Sequence, residues 1–163
     1  MRIGEKIAIA RELHARWADS LLKDPAISRG VRDLMARTES SRKSSVEAGV
    51  SEVCRRCDEE EGGSCCGIGL EDRYTPEMLL LNLLLGSSLP DSRQSDNSCH
   101  FLGAGGCMLA ARDIICINYL CARLCGAITK EGLKGLQETT GREMEAVFVL
   151  HDRIRRILRC KTE

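Results

Sequence analysis

The sequence predicts a mostly α-helical protein that forms a single domain over residues 1–163. Apolar residues recur at steps of three and four in several long stretches, which is the spacing of one helix face. Signals for β-strands are almost absent, because the chain has two Phe, two Tyr and one Trp and no sustained alternation of polar and apolar residues. We therefore expect a helical hairpin and linker over 1–45, a cysteine-rich core of loops and helices over 50–126, and amphipathic C-terminal helices over 130–160.

The N-terminal hairpin is predicted from two apolar faces separated by a proline. The first face consists of Ile3, Ile7, Ala10, His14, Trp17 and Leu21. Asp24 and Pro25 end this helix, and Pro25 can open the next one because its missing N–H is not needed in a first turn. The second face consists of Ile27, Val31, Leu34 and Met35. Residues 38–45 are polar and rich in serine, so we expect them to form a flexible connection.

A short core helix is expected between two groups of cysteines. Thr75 is a suitable N-cap, Pro76 a suitable first residue, and Gly86 a suitable stop. The residues between are apolar on every side, yet they are fewer than the roughly twenty that a membrane span needs, so we expect a buried helix. The polar residues 87–98 predict a loop. Beyond Gly106 the chain is expected to be helical through about Leu124.

The last predicted helix has one apolar face and a basic end. The face consists of Met144, Val147, Phe148, His151, Ile154 and Leu158. Several arginines follow in the last turns, where positive charge complements the helix dipole. We interpret these basic residues as a solvated helix face rather than a nucleic-acid surface.

Composition bounds the class of protein. Twenty-four basic residues balance twenty-four acidic ones, so we expect neither nucleic acid nor a membrane as a partner. The N-terminus lacks a basic region followed by a continuous apolar stretch, and we expect a cytoplasmic protein. Ten cysteines in 163 residues is about 6% of the chain, less than in secreted disulfide scaffolds. A reducing cytosol would keep them as thiols, which makes metal binding the favoured explanation for their clustering.

The cysteines cluster in glycine-rich and loop-like segments. A CxxC pair lets two sulfurs reach one metal, whereas the adjacent Cys65 and Cys66 diverge and suit different metal atoms. The predicted metal ligands are Cys54, Cys57, Cys65, Cys66, Cys99, Cys107, Cys116 and Cys121. Eight thiols would suffice for two four-thiolate sites, and fewer could serve one. No separate catalytic or cofactor-binding residues are predicted.

The remaining cysteines and the histidines have other expected roles. Cys121 and Cys125 are equally compatible with a ligand pair and with small core residues. Cys160 is expected to be a surface thiol. We expect His100 to be a hydrogen-bonding neighbour of Cys99 rather than a ligand, and His14 and His151 to be satisfied core or interface residues.

Thiolate-rich sites select zinc or iron-sulfur clusters. Structural zinc usually appears with two clean CxxC pairs, but this chain has one, and its other cysteines are staggered. We therefore favour an iron-sulfur cluster, with 4Fe-4S as the expected type and zinc as the alternative.

The order of these motifs resembles the YkgJ-type family of zinc- or iron-chelating proteins, also known as the CxxCxxCC family. The matching residues are Cys54, Cys57, Cys65 and Cys66, then Cys99, His100, Phe101, Leu102, Gly106 and Cys107, then Arg112 and Cys116. Seven residues precede the CC pair where the family has two, and Asp113 stands where the family has proline. The resemblance implies a metal site, and the family's relatives include a flagellin lysine methylase that carries this domain with an iron-sulfur cluster.

Three classes of function fit these observations. The chain could transfer electrons or carry a cluster, it could be a zinc-stabilised structural or interaction module, or it could be an enzyme that modifies protein side chains, or an accessory to such modification, with the cluster nearby. Each requires a protein partner of unknown identity. No Ser-His-Asp set, phosphate-binding glycine loop or HExxH motif is present in the sequence, so the sequence does not decide whether the chain is an enzyme.

Overall fold

The computed structural model describes residues 1–61 and 65–162, apart from the side chains of residues 58, 61 and 162. The chain is mostly helical, as the sequence predicts. Its elements in order are α1 (Ile3–Lys23), α2 (Pro25–Glu47), α3 (Val50–Glu61), a 3-10 turn (Leu70–Arg73), α4 (Pro76–Leu84), β1 (Leu102–Gly103), β2 (Gly106–Cys107), α5 (Ile114–Asn118), α6 (Ala122–Ala127) and α7 (Lys130–Thr162).

The predicted N-terminal hairpin is present as α1 and α2. The Asp24 carboxylate caps α2 by accepting the N–H groups of Ala26 at 2.8 Å and Ile27 at 3.1 Å. Most of the predicted apolar positions are buried or half-buried. The prediction that Met35 belongs to the apolar face is wrong, because this residue is 52% exposed. It follows Leu34 by one residue, a turn of about 100° around the helix, which carries it off the buried face.

The flexible connection expected over 38–45 is wrong, because α2 continues through these residues to Glu47. Thr38 and Ser41 are buried, and α2 packs against α7. The hydroxyl of Ser45 donates to the Ser41 carbonyl at 3.0 Å, the usual way in which serine is accommodated inside a helix. Packing against a partner helix therefore overrides the weak local preference of a polar, serine-rich segment.

The predicted core helix is α4, and it lies against α1 and α7. Thr75 caps it by accepting the Met78 N–H at 3.3 Å, and Gly86 ends it with a φ of +80°. Leu79, Leu80 and Leu81 are all completely buried. The loop predicted over 87–98, all of which is described, contains neither helix nor strand.

One buried amide connects α4 to the segment that leads into α5. The Asn82 side chain donates to the carbonyls of Met78 at 3.0 Å and Ala111 at 2.9 Å. It also accepts the Ala111 N–H at 2.9 Å. These bonds satisfy the amide in the core and fix the chain just before Arg112.

The single helix expected from Gly106 to about Leu124 is wrong. This stretch contains β2, then α5 and α6, which are separated at residues 119–121. Gly106 has a φ of +99°, which makes the turn of a short hairpin in which Leu102 pairs with Cys107. Asp113 then caps α5 by accepting the Ile115 N–H at 3.0 Å. Local turns and caps break an apolar pattern that resembles one helix.

The long helix α7 supplies a third wall of the core, with Val147, Leu150, Ile154 and Leu158 buried. Phe148 was predicted on this face, but 65% of it is exposed, because it follows Val147 by one position and turns away from the core. The prediction of a satisfied His151 is also corrected. Its Nε2 is buried without a hydrogen-bond partner in the described part of the chain.

A second, smaller apolar cluster lies apart from this main core. It consists of the buried residues Val53, Leu124 and Ile128, and we name it the satellite cluster. Its residues come from α3, from α6 and from the chain that follows α6, and α3 packs against α6. Within the described ranges, no helix combines the length and apolar character needed to cross a membrane.

Candidate metal centre

The eight predicted ligands lie in two groups of four neighbouring thiols. The inner thiol group is Cys66, Cys99, Cys107 and Cys116, and the other three members, together with Cys65, contribute to the raised pKa of Cys66. The outer thiol group is Cys54, Cys57, Cys65 and Cys121, and the other three members contribute to the raised pKa of Cys54. All ten cysteines of the chain, each within the described ranges, are thiols rather than disulfides.

Backbone hydrogen bonds hold three members of the inner thiol group together. The Cys99 N–H donates to the Cys66 carbonyl at 2.7 Å. Gly67, which follows Cys66, and Ser98, which precedes Cys99, form an antiparallel bridge. The Leu102 N–H donates to the Cys99 carbonyl at 3.0 Å, and Leu102 is also the strand partner of Cys107. Distant parts of the sequence are thereby fixed in one small region.

The fourth inner thiol, Cys116, is positioned by the cap of α5 and by a buried tyrosine. The Tyr74 hydroxyl accepts the Asp113 N–H at 3.0 Å and also hydrogen-bonds the Cys116 thiol. The Asp113 carboxylate forms an ion pair with the Arg73 guanidinium at 2.8 Å. Tyr74 is itself held by an edge-on contact with Phe101, with ring centroids 5.2 Å apart.

Burial raises the pKa of three inner thiols, those of Cys66, Cys99 and Cys116. Burial, followed by the neighbouring thiols, raises the pKa of Cys66 to about 11. The pKa of Cys99 is also raised to about 11, mainly by burial and against a backbone hydrogen bond from Phe101. Burial and Asp113 raise the pKa of Cys116, although Tyr74 and Arg112 oppose the shift. At neutral pH these groups are therefore protonated, and a metal would have to displace protons to bind them.

The outer thiol group is built on α3 and α6. Cys54 and Cys57 are three residues apart on α3 and so lie on one side of that helix. Cys121 is the N-cap of α6, and its sulfur accepts the Leu124 N–H at 3.4 Å. Cys54 is exposed as a whole residue, yet partial shielding of its thiol, followed by Cys65, Cys121 and Cys57, raises its pKa.

The thiols are neighbours but do not form a closed ligand set. Across the residues that the structure describes, no group of three or more His, Cys, Asp and Glu side chains is arranged so that it could hold a metal ion. The donor chemistry nevertheless fits thiophilic metals, because each group offers four sulfurs. The assignment of these eight cysteines as ligands therefore stays a prediction.

The other candidate residues lie outside the two groups. Cys125 and Cys160 are exposed, as predicted for Cys160. The His100 Nε2 lies 3.0 Å from the Pro90 carbonyl oxygen, and the His100 N–H contacts the Glu71 carboxylate at 3.5 Å. His100 is thus a hydrogen-bonding neighbour of Cys99, as the sequence predicts.

Sequence reasoning missed two buried carboxylates that brace the inner thiol group. Glu71 accepts the Gly69 N–H at 3.0 Å and Arg93 at 2.5 Å, which joins the segments that carry Cys66 and Cys99. Burial opposes ionisation of Glu71, but hydrogen bonds from the backbone and the charge of Arg93 lower its pKa overall. No local motif predicts this residue.

The second carboxylate, Glu143 on α7, is completely buried and accepts Arg112 at 3.0 and 3.2 Å. Arg112 lies four residues before Cys116, and in the sequence only its place in the cysteine motif marks it. This ion pair fixes the approach to α5 against the main core. The only available signal was an acidic residue among apolar positions of a helix, which is too weak to identify its partner.

Comparison with family models, with curated proteins and with solved structures finds no match for this chain.

Proposed function

We propose that this chain is a metal-thiolate protein whose eight clustered cysteines hold iron-sulfur clusters, 4Fe-4S in type, for electron transfer or as an accessory to protein modification. The observation that supports the proposal is that cysteines from distant parts of the sequence are close enough to raise the pKa of Cys54 and of Cys66, in an outer and an inner group that adjoin at Cys65. Four thiolates are the usual ligand set of such a cluster. Membership of the YkgJ-type family is part of the proposal and rests on the motifs of the sequence.

A bound cluster would supply one-electron chemistry, and the protein would set its surroundings. Burial of the inner thiol group lowers the local dielectric, the Phe101 backbone amide hydrogen-bonds the Cys99 sulfur, and the Tyr74 hydroxyl hydrogen-bonds the Cys116 sulfur. These are the features by which proteins adjust the reduction potential of a cluster. The chain would therefore bind the cluster, shield it and tune it.

A cytoplasmic location and a protein partner belong to the same proposal. Thiols persist in a reducing compartment, and electron transfer requires a partner that approaches the cluster. Exposed apolar residues are available beside the inner thiol group, namely Ile114, Ile115 and Tyr119 on and just after α5. Side chains of this kind commonly form the centre of a protein contact.

A zinc-stabilised interaction module is the second candidate. It is favoured by exposed apolar side chains on the two packed helices α2 and α7, where Met35, Phe148 and Val149 face solvent. In that case the metal would only stabilise the fold, and these helices would contact the partner.

The test is to purify the protein without oxygen and measure its visible absorption with iron, sulfide and zinc per chain. We expect a brown protein with matching iron and sulfide that bleaches reversibly on reduction. Cys107→Ser should reduce the iron content, whereas Cys125→Ser, an exposed thiol outside both groups, should not. A colourless protein with stoichiometric zinc would refute the iron-sulfur proposal and support the module.

A further inference from the structure

We propose that the two thiol groups form unequal centres, an inner one that retains its metal and an outer one through which metal is exchanged with solution or with a partner. This inference rests on the proposed function and extends it, because it gives the two groups different tasks. It follows from where each group is anchored in the fold.

The inner thiol group is part of the main core. Cys99 is only 8% exposed and belongs to the core cluster, and the half-buried Cys66 and Cys107 pack against that cluster. Cys116 lies on α5, which packs against α7. Releasing a metal from these residues would require opening of the main core, which is the most stable part of a protein.

The outer thiol group is anchored much more weakly. Cys121 packs against the satellite cluster, which has three buried residues, whereas Cys54 and Cys65 are exposed. The ion pairs of this region, such as Arg55 with Glu52 at 2.9 Å and Arg123 with Glu60, are exposed on both sides. Exposed pairs stabilise a fold little, so separation of α3 from α6 has a small free-energy cost.

The two groups meet at one peptide bond. We place Cys65 in the outer group with Cys54, although it also contributes to the pKa of Cys66 in the inner group, and consecutive Cα atoms are about 3.8 Å apart. This arrangement explains why the chain has adjacent cysteines, whose side chains diverge and are poorly suited to one metal ion. It also places the exchangeable centre directly beside the retained one, so that an electron could pass between them without movement of the chain.

A chelator chase on the full chain tests this inference. Anaerobically purified protein is mixed with excess bathophenanthroline disulfonate, and the release of iron is followed together with the loss of visible absorption. We expect two phases of similar amplitude with rates that differ by about tenfold or more, because local opening precedes global opening. Loading of the stripped protein with iron and sulfide should restore the fast phase first.

Variants assign each phase to its group. Cys54→Ser and Cys121→Ser should remove the fast phase and keep the slow one, while Cys107→Ser should remove the slow phase. Cys125→Ser should change neither phase. Circular dichroism of every variant identifies any that fail to fold, and the two outer variants provide independent tests on different helices.

The failure of this inference is distinct from that of the proposed function. Iron and sulfide released in a single phase, or a fast phase that survives in both outer variants, would overturn the inference and leave the function standing. If the protein contains only zinc, the iron-sulfur proposal fails, and the same chase followed by zinc release still decides whether the two groups are unequal. A chain that contains no metal would refute both.

Discussion

The main core and the satellite region differ in how they hold their cysteines. Cys99 belongs to the main core and Cys66 and Cys107 pack against it, whereas the outer group is supported by the three buried residues of the satellite cluster, on α3, on α6 and just after α6. Stability is not uniform across a structure, and regions with few buried apolar contacts open first. Eight similar cysteines in one sequence are thus held by two regions that differ in the number of buried residues supporting them.

The largest effect is expected from Glu143→Leu. This change leaves Arg112 largely buried without its partner carboxylate, which costs about 3 to 5 kcal/mol. The Arg112 Nε already lacks a partner among the described residues, so the guanidinium depends strongly on Glu143. Urea unfolding followed by circular dichroism measures the loss. The double variant Arg112→Met/Glu143→Leu should recover most of it, and a single variant within about 1 kcal/mol of wild type would contradict this account.

A matched pair of leucine truncations compares the two regions directly. Leu80→Ala should cost about 2 to 5 kcal/mol of global stability, because Leu80 is completely buried in α4. Leu124→Ala removes the same atoms from the satellite cluster, which can collapse more easily, so we expect about 2 kcal/mol, expressed as local opening.

Hydrogen exchange followed by mass spectrometry distinguishes a loss of global stability from local opening of α3 and α6. Leu124→Ala should accelerate exchange in α3 and α6 only, whereas Leu80→Ala should accelerate it throughout. Equal acceleration of all helices in both variants would mean that the satellite region does not open independently.

Much of the helical framework could be predicted from the sequence, because α1, α4 and α7 have strong local patterns and clear stops. The continuation of α2 through Ser41 could not, since it depends on packing against a helix a hundred residues later. Cysteine spacing identified the eight candidate ligands. It could not divide them between two groups, because that division depends on how α3 packs against α6 and on where Glu71 and Glu143 brace the chain.

A smaller effect is expected from Tyr74→Phe. The variant loses the hydroxyl that accepts the Asp113 N–H and hydrogen-bonds Cys116, so stability should fall by about 1 kcal/mol. Loss of a hydrogen bond to sulfur should make the reduction potential of the inner centre more negative. A redox titration of the loaded protein checks this, with the exposed Tyr119→Phe as the control. An unchanged potential would show that the hydroxyl does not act on the metal centre.

The smallest effect is a pH dependence of the main core that comes from His151 on α7. Burial, followed by the nearby Arg155, lowers its pKa against the opposing charges of Glu77 and Asp152. The unfolded chain, with a histidine pKa of about 6.5, then binds the proton more readily, so stability should decrease as the pH falls below that value. For this half-buried side chain we expect a loss of no more than about 1 kcal/mol.

His151→Gln should flatten this part of the pH profile. Urea unfolding of both proteins from pH 7 to pH 5 measures the difference. Parallel profiles for the variant and the wild type would show that His151 does not contribute. His14, which is also on an apolar stripe, provides the control as His14→Gln.

Native mass spectrometry of the anaerobically purified chain tests the central claim most directly, because it measures the mass of the metal or cluster bound to the chain. The account predicts a main species heavier than the bare chain by two iron-sulfur clusters, and a second species that has lost one of them. A bare chain, or a chain that carries zinc alone, would contradict it.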